Sequence, residues 1–359
     1  MKVNVYIPEL FNERDFIIGG VQTYLMSLLD VLDEINASYK IITISEEIND
    51  DFMINNSEVI CLSKKNWLEN NFNNNSVDLN IVMTSHFSPR NLKGKTIGIQ
   101  HGVYWDRPFS NKVLKKVRLI EVLLNQYRNF QHCSKSLRFD KLVCVDTIFP
   151  AVASSIIQPF SWDKIEYIPN FSPENNEEFR EIEKINEIVF SRRFVEHRGS
   201  RILIDIILSL RAEGCDIPIK IFGSGPDEVL IKKATENFKN VKISKLDYDS
   251  RLDAFNMDSL VIVPTLSTEG TSLSCIEAMA SGAIVLTTCV GGLSNIIINN
   301  HNGFLCKPQF QSIINELNCI LGLPVNKLNS IRNNSFQSYR NSFSSVVWAK
   351  KWKTLLKEI

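Results

Sequence analysis

The sequence predicts an α/β protein made of two Rossmann-like domains, each a parallel sheet covered by helices on both faces. Three observations carry that expectation. Short β-branched runs alternate with longer helical stretches in both halves, and such alternation requires parallel strands joined by crossover helices. At 359 residues the chain is too long for one ordinary core and suits two domains. The runs themselves, such as 3–7 and 259–263, are apolar at nearly every position, as strands buried on both faces must be.

In chain order, residues 3–7 give the first strand, and Gly19-Gly20 close the loop that follows it. Val21, Leu25, Leu28, Leu29 and Leu32 then line one face of a helix over 21–35. Glycine at that junction lets backbone approach a phosphate, although the pair alone reads more readily as a tight turn. G-x-G-x-x-G is absent, so this is no dinucleotide fingerprint. Further strands are expected at 39–44, 59–62, 79–84 and 96–100, with an Asn-rich loop at 70–75. The last of these delivers His101 at its carboxyl end, the edge where ligands sit in open α/β sheets. A strand at 142–145, a helix after Phe149 and a strand within 164–170 complete the first half.

A hinge is expected over 171–184, which carries Pro173 and a run of acids. The second half opens with a strand at 187–190, followed by SRRFVEHRG. A strand and glycine turn come at 220–226 around Gly223, and further strands at 241–244 and 259–263. Residues 269–302, EGTSLSCIEAMASGAIVLTTCVGGLSNIIINNHN, then read as loop, helix and strand. Leu273, Ile276 and Ala280 recur at helical spacing, Gly282 ends the helix, and 283–286 start the next strand. The free N–H groups at the head of such a helix, around Ser272 and Leu273, make a natural anion site. A strand at 303–305 and a helix at 310–321 follow. Val347, Trp348, Trp352, Leu355 and Leu356 stand at helical spacing in the tail.

Glu269 in the loop and Glu277 inside the helix are the two marked carboxylates. Read blandly, Glu277 forms a capping box with Ser274 and Glu269 is a solvated loop acid. Their placement, one before the helix and one within it, suggests two different tasks.

Composition narrows the class. Hydrophobic residues make up 44% and charged residues 22%, as in a globular soluble protein, and net charge is zero, so no global field favours nucleic acid. Eight cysteines lie scattered without a C-x-x-C pair, which argues for a reducing cytosol and against zinc. The N-terminus reads as a strand rather than a signal peptide, and no apolar run reaches membrane-spanning length. One charge anomaly stands out. Residues 107–141 hold nine Lys or Arg against two acids, a local +7, beside an apolar stripe that includes Leu123, Leu124 and Tyr127. An ordinary packed helix with a basic face explains it; a surface for anionic lipid is the alternative.

Glu269 and Glu277 bracket seven residues, and EGTSLSCIEAMASG followed by VGGLSNII resembles the donor-binding segment of family 4 glycosyltransferases. SRRFVEHRG is similar to the same family's Gly-Arg-Leu-x-x-x-Lys-Gly stretch, with Arg193 on its Arg, Arg198 on its Lys, and Arg192, on its Gly, expected at the surface. Asn295 stands where the family usually has Glu, and Lys245 and Leu246 where a Gly is usual. The resemblance covers nearly the whole chain. It implies the GT-B fold: residues 1–172 as the acceptor domain, 185–340 as the nucleotide-sugar domain facing it across a cleft, and 341–359 as a helix crossing back to the first.

The resemblance further implies a retaining transfer of sugar from a nucleoside-diphosphate sugar to a hydroxyl, in surface polysaccharide or glycolipid assembly. Arg193 and Arg198 would neutralise the departing diphosphate. Glu269 and His101 would position the sugar, and Glu277 would hold the ribose. Gly19, Gly20, Gly223, Ser272 and Leu273 would line the donor. No metal or other cofactor is expected, since two arginines carry the charge. Expected partners are the nucleotide sugar and a glycan or lipid-linked acceptor, in the cytoplasm, with possible contact of 107–141 to the inner face of the plasma membrane. A non-catalytic sugar-nucleotide-binding subunit, or another GT-B enzyme such as an epimerase, is the competing reading.

Overall fold

The computed structural model describes residues 1–12, 15–16, 19–46, 52–55, 57–70, 77–102, 118–174, 178–246, 251–267 and 269–359. It divides into two units. Among the described residues, unit 1 holds Met1–Gly102, 118–169 and Ala349–Ile359, and unit 2 holds Asn170–Trp348.

Unit 1 begins with β1 (Lys2–Ile7), the short pair β2 (Phe11–Asn12) and β3 (Asp15–Phe16), and helix α1 (Gly20–Glu34). There follow β4 (Ser38–Ile44), β5 (Phe52–Ile54), β6 (Ser57–Leu62), α2 (Lys64–Glu69), β7 (Leu79–Val82), β8 (Lys95–Gln100) and α3 (Arg118–Ser136). Then come β9 (Lys141–Cys144), α4 (Ile148–Ile156) and β10 (Ile165–Tyr167). The sheet order is β10-β9-β8-β7-β1-β4-β6-β5, parallel except for β5 at the edge. Leu25, Leu28, Leu29 and Leu32 of α1 are fully buried, as their spacing predicts. Asp146 accepts from the backbone N–H groups of Ile148 and Phe149 at 2.9 Å and so starts α4.

Unit 2 runs β11 (Glu187–Ser191), α5 (Ser200–Ala212), β12 (Ile219–Phe222), α6 (Glu228–Thr235), β13 (Val241–Ser244), β14 (Ser259–Val263) and α7 (Leu273–Ala280). It continues with β15 (Ile284–Thr288), β16 (Phe304–Cys306), α8 (Phe310–Leu321), α9 (Val325–Ser342) and the start of α10 (Ser345–Glu358). The all-parallel order is β13-β12-β11-β14-β15-β16. Strand alternation divides its core in two. Ile188, Phe190, Leu260, Ile262, Ile284 and Leu286 point to the side of α5 and α8, where Leu203, Ile207, Ile313 and Leu317 meet them. Val189, Val261, Val263 and Val285 point to the side of α7 and α9, against Ile276, Met279, Phe336 and Tyr339. Gly282, at φ 69°, ends α7 in the left-handed conformation that glycine adopts freely.

Several elements differ from expectation. Helix α9 is absent from the sequence reading because its segment is mostly polar. It holds its place with Leu328, Ile331 and a fully buried Arg332. Arg332 Nε donates to the Gly282 carbonyl at 2.8 Å and its Nη1 to Asn329 Oδ1 at 2.7 Å, which satisfies a cation inside the core. The stretch expected as a hinge is tied to unit 2: Asn329 exchanges two 3.0 Å hydrogen bonds with the backbone of Ile182. In α3 the apolar stripe is not packed. Leu123, Leu124 and Tyr127 are exposed, and the helix turns Cys133 and Ser136 inward instead. Residues 103–117 and the 71–75 part of the Asn-rich loop lie outside the described residues.

Helix α10 begins in unit 2, and from Ala349 on its residues belong to unit 1. Trp352, Leu355 and Leu356 are buried there, while Val347 is half-buried. Among the described residues no helix is long and apolar enough to cross a membrane. Four cysteines (133, 144, 275 and 306) are buried and none of the eight is in a disulfide.

Candidate active site

In unit 2 the chain leaves β11 toward β12 on one side and β14 toward β15 on the other. The crevice outside the carboxyl ends of β11 and β14 is therefore a topological switch point, where doubly wound sheets take ligands. Arg192 follows β11 directly, Thr265 and Glu269 follow β14, and Ser272 stands at the N-cap of α7.

These residues converge on one oxygen. Arg192 Nη2 and Arg198 Nη1 both donate to Oε2 of Glu269, and Thr265 Oγ1 donates to it at 2.9 Å. Arg192 Nη1 also donates to Ser272 Oγ at 3.1 Å. The Glu269 and Arg192 side chains are 8% and 5% exposed, whereas that of Arg198 is 27% exposed. Burial pushes the Glu269 carboxyl upward, but Arg192 and then Arg198 outweigh it and hold it below the ordinary range. Two guanidinium groups against one carboxylate leave a net positive charge beside the head of α7, whose first N–H groups have no intrahelical acceptor. Such a centre is built to receive an anion.

Arg192 is the correction. The sequence reading sent it to the surface and gave its neighbour Arg193 the inward position. In an extended segment successive side chains alternate, and the alternation turns Arg192 inward and leaves Arg193 exposed. Gly223, at φ 144°, is needed for packing: a Cβ there would lie 2.0 Å from the Arg192 carbonyl. Gly291 holds Glu269 in the same way, since a Cβ on it would lie 2.1 Å from the Glu269 carbonyl.

Glu277 is buried on α7, with its Oε1 3.2 Å from Arg251 Nε. Burial raises its carboxyl to about 7 despite the opposing pull of Arg251. The capping box is excluded. Ser272, not Ser274, is the N-cap, and Ser274 Oγ donates to the Ser191 carbonyl at 2.6 Å. Ser272 serves its helix without a side-chain cap, because its hydroxyl is engaged by Arg192. Leu273 is the first residue of the helix and half-buried.

In unit 1, Gly19 is the N-cap of α1 and Gly20 its exposed first residue. His101 follows the end of β8. Burial lowers its imidazole to about 4, opposed by a hydrogen bond with the Met83 backbone. Its ring packs edge-on against Tyr24 of α1, with centroids 5.1 Å apart. Among the described residues no cluster of His, Cys, Asp and Glu is arranged to hold a metal. The sequence does contain an Asp-x-Asp spacing, Asp247-Tyr248-Asp249, in a stretch outside the described residues. The expectation of a metal-free reaction accordingly rests on the arginines alone.

Residues 171–338 match the family model "Glycosyl transferases group 1". That match supports a glycosyltransferase and covers the site of unit 2. An uncharacterised glycosyltransferase of Methanocaldococcus jannaschii is 31% identical over 135 residues, 36% of each chain. The chain thus spans well under half the length of that curated relative. Sucrose-phosphate synthase from Thermosynechococcus elongatus superposes with a TM-score of 0.72 at 15% identity, over 99% of this chain and 98% of that one. Anabaena HepE, solved in complex with UDP, gives 0.70 at 14% identity over the whole of both chains. At such low identity the likeness shows the fold, which is GT-B.

Proposed function

We propose that the chain is a retaining glycosyltransferase that moves a sugar from a nucleoside-diphosphate sugar to a hydroxyl of a glycan or lipid-linked glycan. The observation that carries this is the pair Arg192 and Arg198 around Glu269 at the switch point of unit 2. In the reaction the bond between the anomeric carbon and the diphosphate oxygen breaks, and the acceptor oxygen bonds to the same face. The acceptor's proton passes to an oxygen of the departing diphosphate. Negative charge grows on that leaving group, and fixed cations stabilise it without reorganising. Arg198, the more exposed of the two, turns from Glu269 to the phosphate as the donor binds, before the bond breaks. Glu269, kept ionised, accepts from sugar hydroxyls. Glu277 takes the ribose, and His101 supplies an acceptor to the sugar. The arginines stand in for a divalent cation, so the reaction is expected to continue in EDTA.

The test is incubation with UDP-, GDP- and ADP-sugars, read by thermal shift, by release of nucleotide and by NMR of the product anomer. UDP is the first choice because HepE, of the same fold, was solved with it. A donor at ~100 times its dissociation constant should stabilise the chain by about 2.7 kcal/mol. Binding without turnover favours the non-catalytic subunit; an inverted product removes the retaining mechanism; no binding removes the reading altogether.

A separate observation favours membrane contact. On α3, Leu123, Leu124, Tyr127 and Phe130 are 61%, 48%, 59% and 48% exposed, roughly opposite the buried Cys133 and Ser136. We propose that this stripe, with Arg128 and Lys135 beside it, rests on anionic lipid near the acceptor's membrane. Co-sedimentation with phosphatidylglycerol vesicles should fall at high salt and in Leu123→Ser/Tyr127→Ser. Equal sedimentation of that variant overturns the assignment.

A further inference from the structure

His101 presents an unfinished hydrogen bond. Its Nε2 is buried and has no partner among the described residues. The ring's other polar contact is with the Met83 backbone, and a backbone carbonyl can only accept. Assigning the proton to Nδ1, toward Met83, leaves the lone pair on Nε2. Buried acceptors are rarely left without a donor. A hydroxyl is the group that completes this one, and sugars offer several.

For such an acceptor to be useful its ring plane must be fixed, and His101 has no second hydrogen bond to fix it. Packing does so. The Tyr24 ring stands at 87° to the imidazole with centroids 5.1 Å apart. Tyr24 is itself held by a third ring: Trp352 Nε1 donates to its hydroxyl at 2.9 Å, with ring centroids 6.2 Å apart. Tyr24 is 2% exposed and Trp352 fully buried, so neither hydroxyl nor indole has water to turn to. Tyr24 lies one turn into α1, the helix headed by Gly19, and Trp352 lies on the C-terminal helix.

We propose that Tyr24 and Trp352 are positioning residues: Trp352 locks the Tyr24 hydroxyl, and the Tyr24 ring holds His101 so that its Nε2 is offered to a hydroxyl of the bound sugar. The C-terminal helix then sets the attitude of a binding group as well as closing the unit's core. This rests on the glycosyl-transfer reading for the identity of the ligand, but the geometry of the three rings does not. Positioning of this kind acts on rate, because a small tilt of a contact group misaligns the reacting centre.

The experiment uses the full chain. Tyr24→Phe keeps the ring and removes only the hydroxyl; Trp352→Phe removes the donor. Long-range proton–nitrogen NMR of the imidazoles should report a single Nδ1–H tautomer of His101 in the parent chain, and a mixture of tautomers or broadened signals in Tyr24→Phe. In steady-state kinetics both variants should lower turnover by about 5–20-fold with the donor Michaelis constant little changed. In a His101→Asn background Tyr24→Phe should then have no further effect, since residues acting through one another are not additive. Unchanged imidazole signals in a folded Tyr24→Phe variant overturn the proposal, as do additive losses in the double variant. If Trp352→Phe does not fold, Tyr24→Phe alone decides. If no donor is turned over by the parent chain, the transfer reading fails while the NMR arm still tests the ring geometry.

Discussion

The guanidinium of Arg192 closes on the carboxylate of Glu269 where neither side chain meets much solvent. Each removes the cost of burying the other, so the pair is both a structural joint and the anchor of the proposed site. A buried ion pair is worth little compared with apolar packing, but breaking one half of it is expensive, about 3–5 kcal/mol.

Arg192→Ala should therefore destabilise the chain toward the lower end of that range, because Arg198 still reaches Glu269. It should also lower turnover by roughly 10²–10³, the scale of losing one preorganised electrostatic group. Arg193→Ala, at an exposed position, should change stability by less than about 0.5 kcal/mol. Urea unfolding of the two variants decides between the neighbours. Equal and small effects would return Arg192 to the surface role first expected of it.

Arg198 and Glu277 should separate by kinetics. If Arg198 neutralises the leaving group, its contact strengthens as the bond breaks, and Arg198→Ala lowers turnover. If Glu277 grips the ribose alike in ground and transition states, Glu277→Gln mainly raises the donor Michaelis constant. A Glu277 variant that loses turnover at unchanged donor affinity, or a parent enzyme inactive in EDTA, would overturn these assignments.

The fold was legible because buried parallel strands leave a clear trace: 260–263 and 284–286 are unbroken apolar runs, mostly β-branched, as strands covered on both faces require. Helix α9 left only a sparse trace, Leu328, Ile331, Phe336 and Tyr339 at helical spacing in a mostly polar segment, and its hold through Arg332 on the Gly282 carbonyl is a long-range contact that no local period encodes. In unit 2 the structure brings Glu269, Arg198 and Ser272 together, with Arg192 rather than Arg193 beside them. Which of two adjacent arginines turns inward depends on the phase of the strand ahead of them. The alternation of Ile188, Val189 and Phe190 between the two core faces fixes that phase. All three are apolar, so their sequence does not reveal which face each takes. The partner of Glu277, Arg251, comes from a short 3-10 turn 26 residues away and carried no sequence signal. Gly223 looked like a ligand contact in sequence, and it has a sufficient reason in backbone packing.

Glu277 gives a pH prediction. Its carboxyl is raised to about 7 in the folded chain, chiefly by burial, from an ordinary 4.5. A carboxyl raised on folding contributes stability that is fully present below the unfolded value and lost as pH climbs through the folded one. Between pH 4.5 and 7.5 the parent chain should lose about 3 kcal/mol that a non-titrating residue does not. The stability difference between Glu277→Gln and the parent should accordingly move in the variant's favour by that order from pH 4.5 to 7.5. Denaturant titrations without nucleotide at the two pH values measure it. A difference that stays flat would show that Arg251 keeps the carboxylate charged throughout.

The last prediction concerns the C-terminal helix. Trp352 is fully buried in unit 1, with Leu355 and Leu356 beside it on the same helix. The exposed Lys353–Glu34 pair adds little, since surface ion pairs are screened and entropically costly. Apolar burial must therefore hold the segment, and Trp352→Ala should cost about 3–5 kcal/mol. Lys353→Ala should stay within about 1 kcal/mol of the parent. Removing residues 343–359 strips away all these contacts and leaves Tyr24 without the Trp352 donor, so aggregation or a clear fall in melting temperature is expected. Differential scanning of the three proteins ranks them. A truncated chain that stays soluble and melts with the parent would show that unit 1 closes its core without this helix.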